Sequence, residues 1–278
     1  MTFSIVARDG AHWGVAVASK FLAAGAVVPA ARAGVGAIAT QSFVNLRYLP
    51  DGLALLEQGR SAQQVVDALV GDDELRAERQ VGVVDRDGGA AAFTGDGCID
   101  WAGSAAGEGY TVQGNCLAGP QVVQAVLDAY AEQHRLPLAQ RLVTALQAGD
   151  AAGGDRRGRQ SAAVLVVTPG GGYGGGSDVQ VDLRVDDAAE PLPELQRLLA
   201  LHALYFGRPR PEDLRPLDGG LAEEVDSLLR AAGHDGGAPL EQRLSAWMGW
   251  ENYEERDVPG AIDPVVLDRL REAGRAGR

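Results

Sequence analysis

The sequence predicts an α/β (α+β) protein: a four-layer αββα sandwich of two mostly antiparallel sheets, followed by a small C-terminal helical domain. Three observations carry that prediction. Segments with strand and helix periodicity run in the order strands, two helices, strands, two helices, strands. Most neighbouring strands are joined by links of hairpin length, which suit antiparallel pairing. Two separate pairs of amphipathic helices need two sheet faces to cover, and stacking the sheets back to back is the economical way to supply them. From Pro191 the strand patterns give way to helical ones, so the chain divides into residues 1–190 and 191–278.

The elements follow in order. Phe3, Ile5 and Ala7 alternate with Thr2, Ser4 and Val6, the period of a strand. Asp9-Gly10 supplies the positive backbone angles of a tight turn into a second strand over residues 13–19, small and apolar on both faces. A loop through Gly25 and Pro29 leads to a third strand over 34–42. Residues 53–58 and 61–70 read as helices. In the second, Ser61 is the N-cap and Ala62, Val65, Val66 and Leu69 form the buried face. Residues 79–84 and 90–94 form a hairpin across Asp87-Gly88-Gly89, and a further strand lies around 110–113, ending at Gly114-Asn115. Helices over 121–133 and 138–148 precede a strand at 162–167, a glycine-rich turn at 170–176 and a last strand at 179–185. The tail carries Leu195, Leu198, Leu199 and Leu201 on one helix, then helices at 221–232, 240–248 and 264–273. A unit of roughly 80 residues buries little area alone, so it is expected to lean on the main domain or on a second subunit.

Composition narrows the function. The chain is 46% hydrophobic with a formal charge of −13, which disfavours nucleic acid and anionic membranes as partners. No apolar run approaches the roughly 18 residues that span a bilayer. Arg8, Asp9, His12 and Lys20 interrupt the apolar runs of residues 1–30, so no export leader is expected and the location read is cytoplasmic. Cys98 and Cys116 lack zinc or redox spacing and are expected as free thiols, and the four histidines are dispersed, so no metal and no cofactor is indicated. Thr2 stands out because removal of Met1, which a small second residue permits, would leave one residue with a hydroxyl nucleophile and an α-amine base. The amine's reference pKa of about 7.7–8.0 leaves a useful neutral fraction at pH 7.

The runs Met1-Thr2-Phe3-Ser4-Ile5-Val6-Ala7-Arg8-Asp9, Gly14-Val15-Ala16-Val17-Ala18-Ser19-Lys20-Phe21, Ala37-Ile38-Ala39-Thr40-Gln41 and Gln113-Gly114-Asn115 resemble the DUF1028 family. Phe93-Thr94-Gly95, Trp101-Ala102-Gly103 and Leu117-Ala118-Gly119-Pro120 continue the likeness. Its strongest part is Gly153-Gly154-Asp155-Arg156-Arg157-Gly158-Arg159-Gln160-Ser161-Ala162-Ala163. The resemblance covers about residues 1–190 and implies the N-terminal-nucleophile hydrolase superfamily, the fold of proteasome β-subunits. The tail is similar, through Leu195-Gln196-Arg197-Leu198-Leu199, Trp247, Gly249, Glu251-Asn252 and Glu254, to a domain described as peptidoglycan-binding. For an unexported protein, cytoplasmic precursors and recycled muropeptides are the form of peptidoglycan within reach.

The resemblance implies an activity on a small C–N amide bond of a small-molecule or short-peptide substrate, with Thr2 as nucleophile. Lys20 or Arg32 would tune it electrostatically, though a guanidinium, unlike lysine, cannot shuttle a proton. Asn115, at the Gly114-Asn115 corner, is implied to hydrogen-bond the amine or the substrate, and Asp155 with Ser161 to stand near the amine. Backbone N–H groups at Thr40-Gln41-Ser42 are the expected oxyanion donors. Arg156 and Arg159 are candidate clamps for a carboxylate or phosphate. The plain structural readings stand beside these: Arg32 as a surface ion pair, Lys20 as a solvated strand end, Asp155 as an anchor for Arg156, Arg157 and Arg159. A binding protein for a muropeptide or small carboxylate on the same scaffold is the competing function. Sandwiches of this superfamily also pack into assemblies, so a homo-oligomer is expected.

Overall fold

The computed structural model of the chain describes residues 2–276. Met1, on whose removal the Thr2 reading depends, lies outside the described residues. β1 (Thr2–Asp9) and β2 (His12–Ser19) form the expected hairpin, with Gly10 in left-handed backbone at φ 57°. They are joined by β8 (Tyr110–Asn115), β7 (Gly103–Gly107), β9 (Ser161–Val167) and β10 (Val179–Val185) in a sheet of order β10-β9-β2-β1-β8-β7. The second sheet has the order β3 (Pro29–Arg32), β4 (Gly36–Ser42), β5 (Arg79–Asp85), β6 (Ala90–Thr94). Every ladder in both sheets is antiparallel.

Side-chain alternation builds three packed layers from these strands. Phe3, Ile5 and Ala7 point from β1 toward helices α3 (Pro120–Glu132) and α4 (Leu138–Ala151), where they meet Val122, Val126, Leu142 and Leu146. The opposite face carries Val6, with Val15, Val17 and Val167, onto Ala37, Ala39 and Val84 of the second sheet. Ile38, Val81 and Val83 face outward from that sheet onto α1 (Tyr48–Glu57) and α2 (Ala62–Gly71). The order helices, sheet, sheet, helices is the predicted four-layer αββα sandwich. Ser61 closes the N-terminus of α2 as read from sequence, in a reciprocal capping box with Gln64.

Three elements differ from the sequence reading. β3 replaces part of the expected loop; Pro29 opens this edge strand, where a missing N–H costs no ladder bond. β7 reads Gly-Ser-Ala-Ala-Gly, with nothing of strand propensity, and exists by pairing with β8. α1 begins at Tyr48, ahead of the residues assigned to it, because Pro50 falls in the first turn, where N–H groups have no helical partner to lose.

The chain divides into two compact units between Leu199 and Ala200, inside α5 (Pro191–Phe206). Leu192, Leu195 and Leu199 of α5 belong to the core of the first unit. In the second, α6 (Gly219–Ala231), α7 (Leu240–Trp250) and α8 (Pro264–Ala276) close around Val225, Leu229, Trp247, Met248, Val266 and Leu267. Buried Arg256 pairs with Asp263 and donates to the carbonyls of Leu204 (2.6 Å) and Ala203 (2.6 Å), so its charge and the end of α5 satisfy one another.

Candidate functional site

Strand register brings the head of β1 into a row of polar residues. Thr2 is opposite Ser19 on one side and Asn115 on the other, and Ser19 is opposite Ser161. Thr2 is 4% exposed, and its Oγ1 lies 2.9 Å from Ser19 Oγ. This end of the sandwich is lined with amides rather than aliphatic groups. Gln80 Nε2 donates to the carbonyls of Gly114 (2.8 Å) and Gly103 (3.2 Å) and to Thr94 Oγ1 (2.9 Å). Gln80 Oε1 therefore faces the other way and accepts from Gln41 Nε2 (2.7 Å) and Asn115 Nδ2 (2.9 Å). Gln41 Nε2 also reaches the carbonyls of Thr2 and Gln113, each at 3.2 Å, while its Oε1 accepts from Ser4 Oγ (2.7 Å). Ser4 in turn accepts from Gln113 Nε2 (2.6 Å), whose Oε1 takes the Thr111 hydroxyl.

Backbone carbonyls orient Gln80 and Gln41 directly, since a carbonyl can only accept, and Gln113 follows through Ser4. The orientation propagates to Asn115: its Nδ2 is spent on Gln80 and on the Thr2 carbonyl at 3.5 Å. Asn115 Oδ1 is left buried without a partner among the described residues, as is Thr40 Oγ1. A buried acceptor left unpaired costs about 1–3 kcal/mol, so the position calls for a donor.

The remaining predicted residues divide sharply. Asp155 Oδ2 accepts from the Lys20 backbone N–H (3.0 Å) and from Arg157 Nη2 (2.8 Å), and Oδ1 accepts from the Arg157 N–H (3.0 Å). It is a structural knot at the end of β2. Ser161 Oγ donates to the Phe21 carbonyl (2.6 Å) and accepts from the Ala24 N–H (3.1 Å), so it anchors the loop after β2 instead of serving Thr2. Lys20 follows Ser19 directly, half-buried, at the site's edge. Arg32 is a correction: it makes an exposed ion pair with Glu57 at 2.6 Å and pairs with Gly36, five residues along β4 from Gln41. At about 3.4 Å per residue that is about 17 Å from the Thr2 end, too far to tune the nucleophile.

The expected oxyanion donors are also corrected in part. The Thr40 N–H is committed to the Val28 carbonyl (3.1 Å), Ser42 leaves the strand in left-handed backbone (φ 70°), and the Gln41 side-chain amide is spent on Gln80 and the carbonyls of Thr2 and Gln113. Gly114 offers its carbonyl to Gln80, as above. Arg159 is neutralised by Asp150 (2.9 Å) and Glu190 (3.0 Å). Arg156 has no carboxylate partner among the described residues, and its Nε donates to Cys116 Sγ at 3.2 Å. Beside the site, Asp73 accepts from Asn45 Nδ2, Tyr48 OH and Arg79 Nε, each at 2.9 Å, fixing the chain that leaves β4. Burial works to raise the Asp73 pKa, but these bonds and that from the Leu75 N–H hold it well below the usual carboxylate range. Sequence reasoning missed Ser4, Ser19, Gln80 and Gln113. The available signal was a polar residue near the end of each apolar strand, in Ala39-Thr40-Gln41, Arg79-Gln80-Val81 and Val112-Gln113-Gly114.

Residues 2–195 match the family described as "Family of unknown function (DUF1028)". The chain belongs to the DUF1028 family. Residues 205–270 match a second family, described as "Putative peptidoglycan binding domain". The crystal structure of a DUF1028 protein from Silicibacter pomeroyi is similar at 29% identity and a TM-score of 0.66, covering 80% of this chain and 89% of that one. A structure of Anbu (ancestral beta-subunit) from Yersinia bercovieri aligns at 13% identity and a TM-score of 0.33, over 73% and 97% of the two chains. No curated protein matches the sequence.

The DUF1028 domain thus holds a hydroxyl pair, Thr2 and Ser19, beside a hydrogen-bonded bed of amides, with the unpartnered Asn115 Oδ1 on the residue opposite Thr2. A nucleophile so placed needs a base, and no carboxylate or imidazole is hydrogen-bonded to Thr2 Oγ1 among the described residues.

Proposed function

We propose that the DUF1028 domain is an N-terminal-nucleophile hydrolase of a small C–N amide bond, working through Thr2 once Met1 has been removed. Thr2 Oγ1 attacks the amide carbonyl carbon while the Thr2 α-amine takes the hydroxyl proton. The C–N bond then breaks, the proton passes to the departing amine, and the acyl group remains as an ester on Thr2. Water, deprotonated by the same amine, cleaves the ester to release the carboxylic acid and restore the threonine.

The observation that carries this reading is the orphaned Asn115 Oδ1, opposite Thr2 across the β1–β8 ladder. The α-amine of a terminal Thr2 is a donor of the kind this oxygen lacks, and accepting its N–H orients the amine lone pair toward Oγ1. The amide cannot itself act as base, so the division of labour is positioning by Asn115 and proton transfer by the amine.

Intact-mass measurement of the native protein tests the premise, and labelling by a threonine-directed β-lactone tests the chemistry. The expected result is loss of Met1 and a single adduct on Thr2 that Thr2→Ala abolishes; a retained Met1 ends the mechanism. A second reading, a binding protein for a small carboxylate or muropeptide, is favoured by the displacement of Arg32, which leaves Thr2 without that tuning cation. It expects ligand binding with no adduct.

A further inference from the structure

We infer that the substrate of this site carries a carboxylate next to an apolar group, and that Arg156 reads the carboxylate; this rests on the hydrolase reading for the reaction but on separate residues for recognition. Among the three clustered arginines, Arg157 and Arg159 are neutralised by Asp155, Asp150 and Glu190. Arg156 is exposed and carries no such pair among the described residues.

Arg156 is nevertheless held in place. Its backbone N–H donates to the Cys116 carbonyl (3.1 Å), and its Nε donates to Cys116 Sγ (3.2 Å). Cys116 directly follows Asn115, is 2% exposed and stands in left-handed backbone at φ 53°. A non-glycine residue persists there only where the surroundings enforce it. Here the conformation brings the thiol under the guanidinium, one residue from the partner of Thr2. With Nε occupied, the Nη1–Nη2 edge remains, two parallel donors that match the two oxygens of a carboxylate. A guanidinium fixed before binding loses less entropy when the ligand arrives.

The apolar part has its own signal. The Cys116 N–H donates to the Ile99 carbonyl (2.7 Å), so Ile99, 43% exposed, flanks the same residue that supports Arg156. Phe21 is 52% exposed, and its carbonyl is gripped by Ser161; its neighbour Lys20 is bound through the backbone to Asp155, adjacent to Arg156. Two large apolar side chains thus stand in water on segments tied through the backbone to the residues that carry one uncommitted cation. An N-acyl amino acid has this chemistry: an amide, a carboxylate and an apolar side chain within a few bonds.

Calorimetry on Thr2→Ala, which binds without turnover, compares N-acetyl-L-leucine with its neutral analogue N-acetyl-L-leucinamide. The acid is expected to bind about tenfold more tightly, the ~1.4 kcal/mol of one charge-assisted pair. Adding Arg156→Gln should erase the preference and leave the amide's affinity unchanged; adding Arg159→Gln should preserve it. Equal affinities, no heat from either ligand at millimolar concentration, or a preference that survives Arg156→Gln overturns the inference. Because no step requires Thr2 to react, these outcomes are independent of whether the β-lactone labels the native protein.

Discussion

Replacing Gln80 by leucine removes the residue that joins the polar end of the two sheets. Gln80 is fully buried and makes five hydrogen bonds, to Thr94, Gly103, Gly114, Gln41 and Asn115. Leucine has a similar volume, so packing changes little and the loss is polar. Gln41 Nε2 keeps the carbonyls of Thr2 and Gln113 as acceptors. Asn115 Nδ2 keeps only the Thr2 carbonyl at 3.5 Å, and Thr94 Oγ1 retains Ser104. Three groups therefore lose a partner, Asn115 Nδ2 and the carbonyls of Gly103 and Gly114. At about 1–3 kcal/mol each, with the lost favourable bonds added, Gln80→Leu should cost about 3–5 kcal/mol. In urea denaturation, with a slope of about 2–3 kcal/mol/M, the midpoint of the DUF1028 unit should fall by about 1–2 M at constant slope. A loss below about 1 kcal/mol would refute the claim that protein groups alone orient the amide bed.

Two further outcomes follow from the site's surroundings. Asp73→Asn should destabilise the DUF1028 unit by about 2–3 kcal/mol, because Arg79 keeps its buried charge without its carboxylate. The Asp73 pKa is depressed in the folded state, so its contribution is fully present above the unfolded value near 4 and is lost as pH falls below it. The wild type's advantage over the mutant should accordingly begin to shrink below pH ~4 and vanish only as pH falls through the depressed folded-state value. Arg32→Ala should change stability by less than about 0.5 kcal/mol and leave β-lactone labelling of Thr2 unaltered, as expected of an exposed pair with Glu57. Loss of labelling would return Arg32 to the mechanism.

The sandwich was legible because its strands and helices announce themselves by period. Phe3, Ile5 and Ala7 face one helix layer, and Val65, Val66 and Leu69 build the other, as their spacing implies. β7 was not legible, since Gly103-Ser104-Ala105-Ala106-Gly107 has no preference of its own and is a strand by virtue of its partner. The site divides the same way. Thr2, Asn115 and Gln41 converge as read, because register across β1, β8 and β4 places them. Arg32 was misplaced because sequence offset is silent about which end of a four-residue edge strand a side chain occupies. Asp155 and Ser161 were recognisable as polar residues beside a strand, but their partners, Lys20 N–H and Phe21 carbonyl, are backbone groups that no motif reveals.

The central claim concerns one atom, the α-nitrogen of Thr2, which the reading makes a free amine held by Asn115. Intact-mass analysis of the native protein measures it directly. The expected mass is lower by one methionine residue, with Thr2 as the first residue, and a native protein carrying Met1 would contradict the mechanism.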